Sequence, residues 1–370
     1  MSRSTDAPWD ALFPSPARAE DAVAFQLRLL RRHGQPLLLL PARPAVVREA
    51  LALYPAQTPQ ARLARWLAGV GLRTGLAPGI EQVTLSVDRR ALFTRFLFPG
   101  GEVSPATSFA LLCGNPHARG RRCILLVFDA SGRPCRLVKA GVGPDAVELI
   151  RREAAFLRSV PAAVASAPAL LGEFRGQDQA AMALEYAGGP NPDPRQAGPL
   201  ARLLTGWLRP AERVALANLP AWQRLAKAAS ANPLFGRLNA TVADARVAAS
   251  LYHGDLAPWN IRVAPGTERW VVLDWERGEQ SGPPGWDWFH FLVQTEILVR
   301  RARPAAVAER IEALLRSVEF DQYARAAGIE AIARPLVVAY LLYCVEVMPP
   351  AEGDAPTRAL LELVGQQWTS

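Results

Sequence analysis

The stretch 251–261 constrains the fold of this chain more than any other segment. It contains, in order, His253, Gly254, Asp255 and, after four intervening residues, Asn260. Residues 271–273 then form a short apolar run of strand type, and Asp274 follows at its end. A loop therefore carries a carboxylate and an amide, and a neighbouring strand end carries a second carboxylate.

These three side chains suit phosphoryl transfer. Two oxygen ligands can hold a hard cation such as Mg²⁺, which keeps several waters and shares the phosphate oxygens. A carboxylate that does not bind metal can orient a hydroxyl and accept its proton. Most of the remaining catalysis is positioning and charge neutralisation. We therefore predict that Asp255 is the catalytic carboxylate and that Asn260 and Asp274 are the metal ligands.

The same pattern resembles the aminoglycoside phosphotransferase and choline-kinase branch of the protein-kinase-like fold. That branch has Gly before the catalytic Asp, as Gly254 is here, and lacks a strict Asp-Phe-Gly after the second strand. A further Asp follows in a Gly/Pro context, where Asp287 is expected to support the loop. The resemblance implies an α+β, bilobal fold with a small antiparallel-sheet N-lobe and a larger helical C-lobe. It also implies ATP (or GTP) and Mg²⁺ as cofactors.

The region after residue 104 changes to a strand-rich pattern. Runs at 107–112, 123–128 and 136–140 are of strand type, and a helical pattern follows at 145–157. Lys139 ends the third run. In the resembled fold this lysine contacts the nucleotide phosphates, and a glutamate of the next helix holds it. Glu153 is the predicted partner, with Glu148 as the alternative.

Two further segments of this region are expected to contact nucleotide. Gly114 and Gly120 flank the first hairpin turn, where a phosphate-covering loop belongs, although Pro116 and the missing Gly-x-Gly-x-x-Gly depart from that pattern. After a predicted strand at 181–184, the resemblance implies that the inter-lobe linker passes the adenine. The expected linker residues are Glu185, Tyr186 and Ala187.

The rest of the chain is organised around these motifs. Residues 1–100 are predicted as an N-terminal α/β extension of unknown role, 101–187 as the small lobe and 188–370 as the helical large lobe with the catalytic loop. The pattern from 200 to 251 is helical, so a helix at 240–250 is expected to lead into that loop. His253 is interpreted as a packed imidazole, and His290, Gln294 and Glu296 are candidates for the acceptor pocket.

Composition sets the broad class. Half of the 370 residues are hydrophobic and 21% are charged, which is typical of a globular chain. The formal net charge is +8, but the basic residues are scattered arginines without a Lys/Arg block, so no nucleic acid partner is expected. The N-terminus lacks an apolar signal segment, and no apolar run is long enough for a membrane span. A cytoplasmic location is the resulting expectation.

These features predict an ATP(GTP)-dependent kinase. Its acceptor would be a small-molecule hydroxyl substrate, such as a sugar, an amino alcohol or a glycolipid precursor. The alternative is a catalytically silent kinase-like protein that binds a nucleotide or a partner. A third reading, a nucleic-acid binder, is motivated by the net charge alone.

Overall fold

The computed structural model describes residues 9–54, 59–74, 80–100, 103, 107–114, 120–349 and 354–369. The chain divides into two compact units. Unit 1 comprises Met1–Arg158 and Pro168–Tyr186, and unit 2 comprises Ser159–Ala167 and Ala187–Ser370. Unit 1 is built on an antiparallel sheet, whereas unit 2 is largely helical. The predicted α+β class is confirmed.

One antiparallel sheet forms the framework of unit 1. Its described strands are β1 (Ala22–Arg32), β2 (Gln35–Pro41), β3 (Glu81–Asp88), β4 (Ser108–Cys113), β5 (Arg121–Phe128), β6 (Pro134–Val142), β7 (Leu170–Arg175) and β8 (Gln179–Glu185). They lie side by side in the order β3-β1-β2-β4-β5-β6-β8-β7. Strands from residues 1–100 thus continue the same sheet as the strands from 107–185.

Alternation along the strands places apolar side chains on both faces of this sheet. Leu39 contributes to one buried cluster, whereas Leu38 and Leu40 contribute to another on the opposite face. Neighbouring strands repeat this alternation, because successive side chains of a strand point to opposite faces. Both faces are therefore covered at the central strands β2, β4 and β5, whereas the edge strand β3 buries one face only.

Two short and two longer α-helices complete the described part of unit 1. They are α1 (Val47–Leu51), α2 (Pro59–Thr74), α3 (Leu92–Leu97) and α4 (Pro144–Ser159). Buried residues of α4 recur at helical spacing and include Val147, Ile150, Ala154 and Leu157. This stripe places α4 directly after β6 with its apolar face inward, as the sequence predicted for a helix following the third strand.

The strands of unit 2 are shorter and form small separate ladders. β9 (Leu208–Ala215), β10 (Arg246–Tyr252) and β13 (Glu279–Gly282) form a sheet in the order β13-β10-β9, and β11 (Ile261–Val263) pairs with β12 (Trp270–Val272). The helix predicted at 240–250 was wrong: α8 ends at Val242, and residues 246–252 are a strand. β9 and β13 take up the backbone hydrogen bonds of this apolar, Ala-rich run, which decides the strand.

Helices make up the remainder of unit 2. They are α5 (Ala162–Ala165), α6 (Ala197–Trp207), α7 (Pro220–Ala228), α8 (Pro233–Val242), α9 (Trp286–Gln294), α10 (Pro304–Leu315), α11 (Val318–Ala327), α12 (Ala333–Glu346) and α13 (Asp354–Val364). A π-helical turn, Thr295–Val299, follows α9. Residues 335–344 of α12 are all buried, which is typical of the central helix of a domain.

Among the described residues, no single helix has the length and apolar character needed to cross a bilayer. α11 and the segment Glu330–Glu346 satisfy the length and composition criteria only when taken together, and they are bent by 110° at their junction.

Candidate active site

Asp255 lies in the loop between β10 and β11, where its carboxylate is held by two side chains. His290 Nε2 lies 3.2 Å from Oδ1, and Asn260 Nδ2 lies 3.3 Å from Oδ2. Asn260 Nδ2 also donates to the backbone oxygen of Asp255 at 2.9 Å, which fixes the orientation of its amide. The Asp255 side chain remains 35% exposed. Each carboxylate oxygen thus has one fixed donor and can still accept a further hydrogen bond.

The surroundings of Asp255 favour its ionised form. Burial is the largest single influence on Asp255 and acts to raise its pKa. The hydrogen bond from His290 and the electrostatic interactions with His290, Arg277 and His253 together outweigh burial, so the pKa of Asp255 is lowered below its usual 3.8. At neutral pH this side chain is therefore a carboxylate and can accept a proton.

Asn260 and Asp274 lie at the same end of the β11–β12 ladder. Ile261 pairs with Val272, and the backbone N–H of Leu273 donates to the Asn260 carbonyl at 2.7 Å, so the next residue along the second strand is Asp274. Asp274 has a φ of 69°, a left-handed conformation that non-glycine residues rarely adopt. Such strain is concentrated at functional sites.

The donor atoms at this end fit a hard cation. Asn260 uses its side-chain nitrogen on Asp255, so its Oδ1 faces no competing hydrogen bond from the residues that the structure describes. The Asp274 carboxylate supplies a second oxygen. Among the described residues, no group of three or more His, Cys, Asp or Glu side chains could hold a metal ion. An amide plus a carboxylate, completed by waters and phosphate oxygens, matches Mg²⁺ rather than a transition metal.

Asp287 supports the backbone of the loop that carries Asp255. Its two carboxylate oxygens accept the backbone N–H groups of His253 at 2.8 Å and Gly254 at 3.0 Å. The side chain is only 4% exposed. Burial raises the pKa of Asp287 to about 7, although the two amide donors favour the carboxylate. The structure therefore places Asp287 where the sequence expected a supporting residue.

His253 is fully buried, and its ring forms hydrogen bonds with backbone groups of the same loop and of Leu273. Its Nε2 lies 2.8 Å from the Leu273 carbonyl, and its Nδ1 accepts the backbone N–H of Asp255 at 3.2 Å. This pattern assigns the hydrogen to Nε2 and leaves Nδ1 as an acceptor. The ring packs edge-on against Trp275, with centroids 4.7 Å apart. The interpretation of His253 as a packed imidazole agrees with these contacts.

The sequence analysis did not predict that Asn191 and His290 contact the loop that carries Asp255. Asn191 donates from Nδ2 to the carbonyls of Pro258, Trp259 and Ile261, at 2.9, 3.3 and 3.0 Å. No sequence signal marks it, since it stands in a Gly/Pro-rich loop. His290, considered for the acceptor pocket, contacts Asp255 instead. A signal existed here, because His290 follows Asp287 at a spacing of three and so shares its helix face.

In unit 1, Lys139 and Glu153 form the predicted ion pair. Lys139 Nζ lies 2.7 Å from both carboxylate oxygens of Glu153. The two side chains are 12% and 3% exposed, so the pair is largely shielded from water. Glu148, the alternative partner, is exposed on the same helix. The ammonium group of Lys139 is thus fixed in position as a point charge.

The two hairpin glycines are closely packed. The Gly114 N–H already donates to the Arg122 carbonyl at 2.7 Å. Gly120 has a φ of 74°, and a Cβ on it would come within 2.7 Å of the Ala146 side chain at the start of α4. Their described contacts are therefore structural. Residues 115–119, the predicted phosphate-covering turn between them, lie outside the described residues.

The predicted linker residues lie at the end of β8 and directly after it. Glu185 is the last residue of that strand, Tyr186 is the last residue of unit 1 and Ala187 begins the second segment of unit 2. The Tyr186 hydroxyl lies 3.5 Å from a carboxylate oxygen of Glu49. The chain thus passes from one unit to the other at the segment predicted to be a linker. Its contact with adenine stays a prediction.

Comparisons with known proteins gave matches to solved structures only. No protein-family model matches the chain, and no curated protein matches it. The structure of aminoglycoside phosphotransferase APH(4)-Ia with ADP and hygromycin B has 13% identity and a TM-score of 0.46, covering 69% of this chain and 93% of that one. Aminoglycoside phosphotransferase APH(3'')-Id from Streptomyces rimosus has 18% identity and a TM-score of 0.40, with 60% and 88% covered.

A fructosamine-3-kinase from Haemophilus somnus has 12% identity and a TM-score of 0.40, covering 69% of this chain and 90% of that one. Similarity at such identities does not transfer a substrate or a reaction. These three solved structures are thus two aminoglycoside phosphotransferases and a fructosamine-3-kinase.

Proposed function

We propose that this chain is an ATP- or GTP-dependent kinase that phosphorylates a hydroxyl group of a small molecule. The observation that carries the proposal is the state of Asp255. Its carboxylate is ionised, oriented by a donor on each oxygen and 35% exposed. A structural carboxylate would normally bury its remaining lone pairs or pair them with a cation. This carboxylate keeps them available for an incoming hydroxyl.

In the proposed reaction, Asp255 orients the acceptor hydroxyl and receives its proton. The acceptor oxygen forms a bond to the γ-phosphorus of the nucleotide as the bond from that phosphorus to the β–γ bridging oxygen breaks. The leaving nucleoside diphosphate keeps that bond's electron pair. His253 and Asp287 keep the loop backbone in place, so the carboxylate does not have to reorganise during the reaction.

The other predicted residues would bind the nucleotide and its cation. Asn260 and Asp274 would hold Mg²⁺, which neutralises charge on the phosphate oxygens when bound. Lys139, fixed by Glu153, would contact the phosphates. Residues 185–187 would pass the adenine, with their backbone groups as hydrogen-bond partners. Gly114 and Gly120 would shape the turn that covers the phosphates.

Nucleotide binding is tested by thermal unfolding of the full chain with ATP or GTP, each with and without Mg²⁺. A ligand that binds only the folded state stabilises it by about 2.7 kcal/mol at one hundred times its Kd. We therefore expect a higher Tm with at least one nucleotide and a larger shift when Mg²⁺ is present. An unchanged Tm with both nucleotides at millimolar concentration would contradict the proposal.

Turnover is tested with Asp255→Asn, which keeps the size of the side chain but removes its basicity. Transfer from labelled nucleotide to pools of sugars and amino alcohols should fall at least about 100-fold, whereas the nucleotide-dependent Tm shift should persist. Asp321→Asn, an exposed carboxylate paired with Arg325 on α11, is the matched control and should leave transfer unchanged. Nucleotide binding without transfer to any pool would favour the catalytically silent alternative.

A further inference from the structure

His290 is a buried polar side chain on α9 that reaches Asp255 from a distant part of the chain. The imidazole is only 3% exposed, and its Nε2 lies 3.2 Å from Asp255 Oδ1. Its other nitrogen, Nδ1, lies 3.1 Å from the hydroxyl of Tyr340 on α12. Tyr340 is 1% exposed. A chain of hydrogen bonds therefore runs from the central helix through α9 to the carboxylate.

The direction of this chain follows from the chemistry of its ends. The Asp255 carboxylate only accepts hydrogen bonds, because its pKa is lowered. His290 Nε2 must therefore carry a hydrogen. Burial raises the pKa of Tyr340 well above its usual 10, so its hydroxyl keeps its proton. In neutral His290 that hydroxyl donates to Nδ1, and Nε2–H donates to Asp255.

The polar groups of His290 and Tyr340 lie among mostly apolar residues. The Tyr340 ring packs against Trp286 and Phe289. The other nine residues at 335–344 are all aliphatic, aromatic, proline or cysteine. Burying an imidazole and a phenol hydroxyl is unfavourable unless their polar atoms are bonded. The Tyr340 hydroxyl also interacts with the side chains of Gln294 and Cys344, and His290 links it to Asp255. Fixed hydrogen bonds of this kind determine the orientation of an active-site side chain.

We propose that His290 and Tyr340 form a positioning pair that sets the rotation of the Asp255 carboxylate. The inference rests on the proposed function, in which Asp255 receives the acceptor proton. Asn260 holds Oδ2 and His290 holds Oδ1, so removal of His290 leaves the carboxylate free to rotate about its Cβ–Cγ bond. Tyr340 acts only through His290, because it fixes the tautomer that donates to Asp255.

The kinetic test uses the full chain and measures phosphate release from Mg²⁺–ATP or Mg²⁺–GTP, with water in place of the unidentified acceptor. His290→Leu should lower kcat on the order of 100-fold through misplacement of the base, while the nucleotide-dependent Tm shift is retained. His290→Gln restores an N–H near the position of Nε2 and should recover most of that loss. An unchanged kcat in folded His290→Leu would overturn the proposal.

Tyr340→Phe removes only a hydroxyl group and leaves the His290 imidazole in place. Tyr340→Phe alone should lower kcat by about fivefold, because one hydrogen bond to a positioned group is worth about 1 kcal/mol. It should have no further effect in a His290→Gln background. Tyr343→Phe, one turn along α12, removes a hydroxyl that bonds Arg224 instead and should leave kcat unchanged. Additive effects of Tyr340→Phe and His290→Gln would contradict the pair.

A spectroscopic measurement separates this inference from the proposed function. Long-range ¹H–¹⁵N spectra of protein labelled at histidine should show His290 as a single Nε2–H tautomer at pH 8. Tyr340→Phe should shift that tautomer balance. A His290 tautomer with the hydrogen on Nδ1 would overturn the positioning pair even in an active enzyme. Absence of phosphate release from wild-type protein with both nucleotides, by contrast, would contradict the kinase function itself.

Discussion

His253 and His290 both lie against Asp255, and they use their ring nitrogens differently. His253 accepts the Asp255 backbone N–H on Nδ1 and donates from Nε2 to the Leu273 carbonyl. His290 instead contacts the carboxylate itself. One imidazole therefore shapes the backbone of the loop, and the other contacts its functional group. At the scale of single residues, the two imidazoles thus support different parts of the same loop.

The buried state of His253 predicts a loss of stability in acid. Burial lowers its pKa from 6.5 to about 4, and a second ring proton would face the Asp255 N–H. Between these values the unfolded chain binds a proton that the folded chain does not. The free energy of unfolding should therefore fall as pH decreases from 6.5 to 4, by at most about 3 kcal/mol for this group.

This prediction is checked by urea unfolding at a series of pH values. His253→Gln should show a shallower decline of the free energy of unfolding between pH 6.5 and 4 than the wild type. His33→Asn removes an exposed imidazole from the turn between β1 and β2, where φ is 51°, and Asn tolerates that conformation. Equal slopes for wild type and His253→Gln would contradict the prediction, because protonation of His253 would then not contribute to the loss of stability in acid.

At the scale of elements, one hairpin in each unit depends on a particular backbone conformation. The β11–β12 ladder brings Asn260 and Asp274 to one end through a single register. Immediately before β5, Gly120 instead lies so close to the start of α4 that an added Cβ would meet Ala146. Both arrangements depend on backbone conformations with positive φ, at Asp274 and at Gly120. The element, rather than the side chain, sets these positions.

Gly120→Ala should therefore destabilise unit 1 more than an equivalent change elsewhere. Gly34 has a similar φ of 78°, but an added Cβ there meets no atom within 4 Å. Gly34→Ala should cost about 1 kcal/mol from the left-handed conformation alone. Gly120→Ala adds overpacking against Ala146, worth about 1–3 kcal/mol more. Thermal unfolding of both variants measures the difference, and equal Tm values would contradict the packing argument.

At the scale of the whole molecule, the first hundred residues are part of the sheet of unit 1. Leu38 and Leu39 of β2 pair with Leu112 and Leu111 of β4. The Phe109 ring is fully buried against several aromatic rings of the N-terminal region, which are Phe13, Phe25 and Phe98. These contacts make residues 1–100 a component of the same core as the strands that carry Lys139.

Removal of residues 1–100 should accordingly prevent unit 1 from folding. The truncated chain 101–370 would expose the edge of β4 and the apolar face around Phe109, and exposed apolar strand edges promote aggregation. Expression of 101–370 beside the full chain, followed by size-exclusion chromatography and thermal unfolding, measures the effect. A soluble truncated chain with a cooperative transition and the full nucleotide-dependent Tm shift would contradict this view of the sheet.

The spacing of residues along the chain determined much of the candidate site. Asp255, Asn260 and Asp274 stand at element ends whose order is written in the sequence, and Lys139 precedes a Glu-bearing helix by a fixed number of residues. The resemblance favoured Glu153 over Glu148, and in the structure Glu153 lies on the buried face of α4 while Glu148 is exposed. Local pattern was therefore sufficient to predict where these side chains lie in the chain of helices and strands, and their roles stay predictions.

Only the tertiary structure decided the strand at 246–252 and the contact from Tyr340 through His290 to Asp255. An apolar, Ala-rich run is compatible with helix or strand until a neighbouring strand takes its backbone hydrogen bonds, as β9 does here. Likewise, His290 and Tyr340 are 35 and 85 residues from Asp255 in sequence, and packing of α9 and α12 alone brings them together. Contacts between side chains distant in sequence depend on packing, which periodicity and spacing do not encode.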